Sequence, residues 1–310
     1  MQLNFDRRVA DSLPTTWVDR APLALRPYLR LARYDRPVGF WLLALPCWMG
    51  LMLARTGQGL GWVDLWYAGL FAIGAIAMRG AGCTYNDIVD RDLDARVART
   101  AGRPLPAGTV SLKQAWLFLA GQALAGLVVL VQLPLAAIGV GLGSLLLVAA
   151  YPFMKRITWW PQAWLGLTFN WGIPVGYTAA AGTVDAAAIA LYAGAVFWTL
   201  GYDTIYAHQD SEDDALAGVK STARLFGETS QYWVAGFYGA NAVLAALAIW
   251  LTGASPWAVL PFTLYTAHLF NQVRRLDIED GARCLALFRS NRTSGLLLVA
   301  TLAAGALLPA

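Results

Sequence analysis

Two stretches of the chain place carboxylates at helical spacing. The first reads Asn86-Asp87-Ile88-Val89-Asp90-Arg91-Asp92-Leu93-Asp94. On a helix, Asp87, Asp90 and Asp94 fall at i, i+3 and i+7. Asn86, Asp90 and Asp94 fall at i, i+4 and i+8. Both series share one face, and Asp92 points elsewhere. The second stretch runs from Asp203 to Asp214. There Asp203, Asp210 and Asp214 fall at i, i+7 and i+11, with Tyr206 and Asp213 on the same side. Like charges at these spacings repel and destabilise a bare helix, so a cation should offset them. Oxygen ligands suit hard divalent ions. Mg²⁺ usually takes one or two carboxylates and fills its shell with water and substrate phosphates. Two such faces opposed would hold a diphosphate through metal bridges. Asn86, Asp87, Asp90, Asp94, Asp210, Asp213 and Asp214 are the candidate ligands. The competing reading is a pair of solvated acidic loops, but such loops seldom repeat at helical spacing beside two apolar runs.

Basic residues surround the acidic ones. Arg99 and Arg103 follow the first cluster, Lys155 and Arg156 close a later apolar run, and Lys220 follows the second cluster. A metal alone needs no such cations. A phosphate-bearing ligand does, and Arg can clamp it bidentately. The plainer reading is that these charges only set topology. Arg79 lies seven residues before Asn86, on the same face and inside an apolar run, where a charge is costly and suggests function or a structural ion pair. His208 reads as a polar neighbour of the second cluster and His268 as a packed helix residue.

The elements that carry these residues are membrane helices. Hydrophobic residues make up 58% of the 310 positions and charged residues 14%, against about 45–50% and about 25% in soluble domains. That leaves too few polar side chains to cover a soluble globule. The 14 Trp residues favour membrane interfaces. Net charge is +4, but the Lys and Arg cluster between apolar runs, which argues against a nucleic-acid binder. The three cysteines form no C-x-x-C pair, which argues against a zinc site or disulfide framework.

Crossing the hydrocarbon takes about 20 helical residues. Nine runs qualify, near 38–54, 62–82, 114–133, 135–153, 161–181, 185–205, 231–252, 256–273 and 293–309. Pro46, Pro174 and Pro261 would kink the helices that hold them. With nine spans, every Lys and Arg except Arg55 and Arg79 falls on one side of the membrane. Positive charge collects on the cytoplasmic side, so the N-terminus is expected inside and the C-terminus outside. Acids mixed with Arg before residue 36 are unlike a transit peptide, so the segment reads as a retained, solvated arm. The expected location is a bacterial inner (cytoplasmic) membrane, multi-pass, with the active site on the cytoplasmic side. The two Asp-rich connections lie four spans apart on one face, a pattern of two helical halves around one site.

These residues resemble the UbiA-type intramembrane aromatic prenyltransferases. The family's N-D-x-x-D-x-x-x-D motif stands at Asn86, Asp87, Asp90 and Asp94, and R-T-x-x-R-P-L-P-x-G is intact from Arg99 to Gly108. A second, D-x-x-x-D-type motif falls on Asp210 and Asp214. The strings at 33–39, 151–156, 203–210 and 218–223 resemble the branch that uses 4-hydroxybenzoate. The likeness covers residues 30 to 309, leaving 1–30 as the arm and 31–310 as a single transmembrane domain.

The resemblance implies an all-α bundle of about nine transmembrane helices around a central cavity, Mg²⁺, and a polyprenyl diphosphate donor. It also implies transfer to the ring carbon ortho to the phenol of 4-hydroxybenzoate, a step of ubiquinone biosynthesis. On that reading Asp90, Asp94, Asp210, Asp214 and Arg156 carry the chemistry. Arg36, Arg79, Arg99, Arg103, Lys155, Tyr206 and Lys220 bind substrate, and membrane lipid surrounds the site. Two rivals stand beside it: a sister enzyme using homogentisate, a naphthoate or haem, and a secondary transporter. Transporter acids usually sit near the bilayer midplane, whereas these sit at span ends.

Overall fold

The computed structural model describes residues 15–96, 100–210, 215, 218–253 and 255–308. The described residues are helical, with no strand. In chain order the helices are α1 (Arg26–Leu31), α2 (Val38–Ala54), α3 (Trp62–Asp94), α4 (Leu112–Leu130), α5 (Leu135–Ile157), α6 (Pro161–Phe169), α7 (Gly172–Ala181), α8 (Ala186–Ala207), α9 (Thr222–Phe226), α10 (Ser230–Leu251), α11 (Val259–Arg275) and α12 (Gly281–Leu307). Over its described residues, every apolar run read from the sequence is mainly helical. Among the described residues, five segments are long and apolar enough to cross a membrane: α3, α4, α5, α8 and Thr222–Leu251. Helix α2 is apolar but shorter.

The remaining runs depart from a simple span for physical reasons. The run 161–181 is two helices, because Pro174 has no N–H for the Asn170 carbonyl and its ring crowds that carbonyl. Asn170 sits at the break, and its Nδ2 donates to Gly166 O at 2.8 Å and Ala195 O at 3.0 Å. Helix α12 begins twelve residues before its apolar run, capped by Asp280, which accepts from Arg283 N at 2.9 Å.

Two compact units divide the chain: residues 1–41 with 72–130, and residues 42–71 with 131–310. In the first unit, Leu31, Leu105, Val110 and Ala115 form a buried cluster joined by Tyr28, Ile88 and Phe118. The described part of the N-terminal arm is only partly the solvated segment expected: Trp17, Leu23 and Leu25 are exposed, but Val18, Pro27 and Arg30 are buried. Tyr28 packs edge-on against Phe118 at 5.4 Å.

In the second unit α8 is the most enclosed helix, with fourteen of its residues buried. Polar side chains tie it to its neighbours. Trp198 Nε1 donates to Asn291 Oδ1 at 2.8 Å, and Gln272 Nε2 donates to Ser294 Oγ at 3.0 Å. Tyr238 donates to Gln272 Oε1 at 2.8 Å. His268 Nδ1 lies 2.9 Å from Ser294 Oγ, a packed network residue as read from the sequence. Interhelical hydrogen bonds of this kind hold membrane helices together where lipid offers no hydrophobic drive. The outward faces carry Trp62, Leu117, Leu146, Trp250 and Leu260, all exposed, as a lipid-facing surface requires.

Candidate active site

The first acidic motif lies on continuous helix. At 33 residues, α3 is about 50 Å long at about 1.5 Å per residue, against about 30 Å of hydrocarbon. Its last third thus projects beyond the apolar run and carries the motif. Asp87 and Asp90 are fully buried, Asp94 is buried and Asn86 half-buried.

Two arginines from outside α3 close on this face. Arg103 Nη1 lies 2.7 Å from Asp94 Oδ2 and 3.4 Å from Asp87 Oδ1. Arg33 Nη2 lies 2.7 Å from Asp87 Oδ1. The string after the motif explains how Arg103 arrives. Thr100, buried, donates its hydroxyl to Asp94 O at 2.8 Å, ending α3 and turning the chain back. Arg103 N then donates to Thr100 O at 2.9 Å. Gly108, at φ 71°, closes the turn in a conformation that suits glycine. Leu105 and Val110 bury their side chains in the core of the first unit.

This arrangement fits a hard cation with an anion. The described residues hold no group of three or more His, Cys, Asp or Glu placed to share a metal. What the face offers is one or two carboxylates and an amide oxygen, the number Mg²⁺ takes when water and phosphate complete its shell. Arg103 Nε is buried without an acceptor among the described residues. A buried donor on a cationic fork suits an anionic oxygen.

Arg79 is half-buried inside the apolar run, its guanidinium against the backbone of Gly39, where a Cβ would collide with it. Arg36 is paired with buried Asp35 at 3.3 Å.

The second motif belongs to the other unit. Asp210 ends a 3₁₀ turn, His208–Asp210, that continues α8. Of Asp210 only the backbone is described. Asp213 and Asp214, like Arg99 near the first motif, lie outside the described residues. Tyr206 is half-buried and packs on Phe288, with ring centroids 4.4 Å apart. His208 donates to or accepts from Ser230 Oγ at 2.8 Å. Burial pushes its pKa down to about 4, so the ring is neutral near pH 7.

The structure brings Lys220 against the end of α5, which carries Lys155 and Arg156. Lys220 N donates to Lys155 O at 3.0 Å, and Lys220 Nζ to Ile157 O at 3.2 Å. Thr222 anchors the same segment, donating its N–H to Gln162 Oε1 at 3.1 Å and lying 2.7 Å, hydroxyl to hydroxyl, from Thr204. Arg156 is exposed at the end of α5.

The residue that sequence reading missed is Arg33. By position alone it reads as one of the many Lys and Arg that fall on one side of the membrane, although it opens the 33–39 string. The signal available was an acidic face that needs a local counter-charge.

The first motif is thus a buried acidic face near the end of a long apolar helix, with two guanidinium groups against it. The chain belongs to the UbiA prenyltransferase family, whose model matches residues 43–303. It is 50% identical over 287 residues to the mitochondrial 4-hydroxybenzoate polyprenyltransferase of Rattus norvegicus, covering 91% of this chain and 75% of that one. The fold matches the apo structure of a UbiA homolog from Aeropyrum pernix K1, with a TM-score of 0.71 and 25% identity over 84% of this chain and 96% of that chain. It also matches a UbiA homolog from Archaeoglobus fulgidus bound to GPP and Mg²⁺, with a TM-score of 0.68 and 22% identity over 90% and 99% of the two chains. The expectation of a bacterial inner membrane is overturned, because the curated relatives are mitochondrial proteins of eukaryotes, Homo sapiens and Arabidopsis thaliana among them.

Proposed function

We propose that this protein transfers a polyprenyl group from polyprenyl diphosphate to the ring carbon ortho to the phenol of 4-hydroxybenzoate, with Mg²⁺ as the cofactor. The reading is carried by the acidic face of α3 with Arg103 bridging Asp87 and Asp94. It is supported by the 50% identity to a 4-hydroxybenzoate polyprenyltransferase and by the related structure that binds GPP and Mg²⁺. Nine membrane crossings, with the N-terminus on the side that holds the Lys and Arg clusters, belong to the same proposal.

Asn86, Asp90 and Asp94 of the first motif and Asp210, Asp213 and Asp214 of the second would hold the metal. When bound, Mg²⁺ neutralises charge on the diphosphate. Arg103, with Arg99, Lys155, Arg156 and Lys220, binds phosphate oxygens and stabilises the charge that develops as the diphosphate departs. Tyr206 offers an aromatic face to the developing allylic cation, an interaction of about 0.5–2 kcal/mol. Apolar walls exclude the water that would capture that cation. Product and donor are both lipids, so a membrane setting is part of the chemistry.

The direct test is incubation of membranes holding the protein with radiolabelled prenyl diphosphate and 4-hydroxybenzoate. Label should appear in a prenylated hydroxybenzoate. Label in the homogentisate or naphthoate product alone would assign a sister reaction.

Arg103→Lys keeps the charge but loses the planar fork. It should lower kcat/KM at least about tenfold, whereas a purely topogenic arginine would tolerate Lys. The acceptor carboxylate needs a cationic partner, and Arg36, at the start of α2 beside buried Asp35, is proposed for that role. Arg36→Ala should raise KM for 4-hydroxybenzoate and leave KM for the prenyl diphosphate nearly unchanged. The reverse pattern would move Arg36 to the diphosphate.

A further inference from the structure

Among the described residues, Arg33 is the one non-glycine residue with positive φ, at 59°. Helix α1 ends there in a full Schellman arrangement. Arg33 N donates to Arg30 O at 3.0 Å, and Tyr34 N donates to Leu29 O at 3.0 Å. That position usually holds glycine, because a Cβ crowds the left-handed backbone. A strained non-glycine residue points to a demand on its side chain.

The Arg33 guanidinium reaches both the end of its own helix and α3. Nη1 donates to Arg30 O at 3.2 Å and Leu31 O at 3.4 Å, capping the last carbonyls of α1. Nη2 meets Asp87 Oδ1 at 2.7 Å. Arg33 is 8% exposed and Asp87 0%, so this is a buried ion pair. Arg103 reaches the same Oδ1 at 3.4 Å. A divalent ion placed on Asp87 would meet two guanidinium charges already there. Within the shared face, Asp87 lies beside Asp94 and away from Asn86 and Asp90. At about 100° per residue, Asn86 and Asp90 lie about 40° apart, and Asp87 lies about 60° beyond Asp90.

We propose that Arg33 is a positioning residue acting through Asp87, and that Asp87 is an anchor for α3, leaving Asn86 and Asp90 to face the metal. The left-handed turn at the end of α1 aims the guanidinium at Asp87. The pair then fixes the rotation of α3 and neutralises Asp87 without drawing on Arg103, which pairs with Asp94 and keeps its Nε for substrate phosphate. The proposal rests on the reading of Asp90 as a metal ligand.

The test compares Asp87→Asn with Asp90→Asn in the full-length, detergent-solubilised protein, reading the Mg²⁺-induced rise in melting temperature. Asp87→Asn keeps an acceptor for Arg33 and should retain the wild-type Mg²⁺ response at the wild-type half-saturating concentration. Asp90→Asn should lose that response. If Asp87→Asn loses it equally, Asp87 is a ligand and the proposal is overturned. If Asp90→Asn keeps it, the metal reading falls and takes the proposal with it.

A second arm reads coupling in kcat/KM. Arg33→Asn suits the left-handed backbone and should cost at least about tenfold in the wild-type background. In the Asp87→Asn background it should cost less than about threefold, because the residue through which Arg33 acts is already neutral. Equal losses in both backgrounds would overturn the role assigned to Arg33. The Asp87→Asn melting measurement stands even if an Arg33 variant fails to fold.

Discussion

Asp90→Ala should abolish prenyl transfer while leaving a folded, membrane-inserted protein. The expected loss in kcat is at least about 10²–10³-fold, the scale of removing one preorganised electrostatic group from a reaction centre. Asp90 is fully buried on the projecting third of α3, one helical turn from Asn86 and from Asp94. Burial keeps it from the lipid, and on the proposed function it faces the charge that develops on the departing diphosphate. Asp210→Ala should cost as much. If the two Asp motifs serve one diphosphate, the double variant should be little worse than either single one, since groups that act as a unit are strongly non-additive. Losses that multiply would assign the motifs to separate tasks. Activity that survives EDTA would remove the metal from the account. The folding control is size-exclusion behaviour in detergent, which should match wild type.

The contrast between what the chain announced and what it hid follows from the range of the forces involved. The motif on α3 was legible because helical spacing is local: one turn of backbone decides that Asp87, Asp90 and Asp94 share a side. The break between α6 and α7 was half legible, since Pro174 predicts a kink, but the place of the break follows from the missing bond to Asn170. Arg33 was not legible, because its importance depends on a left-handed turn and on a partner 54 residues away. The polar network of Trp198, Gln272, Asn291 and Ser294 was also hidden. Its members lie on three helices, and each alone reads as a minor blemish in an apolar run. Asn and Asp spacing thus pointed to the proposed chemistry, while the supports around it were tertiary.

Gly176→Leu should destroy the fold, and the reason lies in how α7 meets α2. Gly172 and Gly176 are four residues apart and share one face of α7. A Cβ on Gly172 would strike Cys47 Sγ at 2.6 Å, and one on Gly176 would run into Cys47 O. From the other side, a Cβ on Gly50 would run into Ile173 O. The obstacles at Gly176 and Gly50 are backbone atoms, which cannot swing aside as a side chain could. Lipid is as apolar as leucine, so membrane helices gain little from burying large side chains against each other. Close backbone approach through small residues supplies the attraction instead. Overpacking a soluble core costs about 1–3 kcal/mol, and here the two helices must part along their length. Gly176→Ala should lower the melting temperature measurably, and Gly176→Leu should leave no monodisperse peak on size exclusion. Gly236→Ala on α10 supplies the control. Its added Cβ meets nothing within 4 Å, and alanine is the better helix former by about 1 kcal/mol, so that variant should melt at or above wild type. A Gly176→Leu protein with wild-type melting would mean that α2 and α7 do not approach this closely in the membrane.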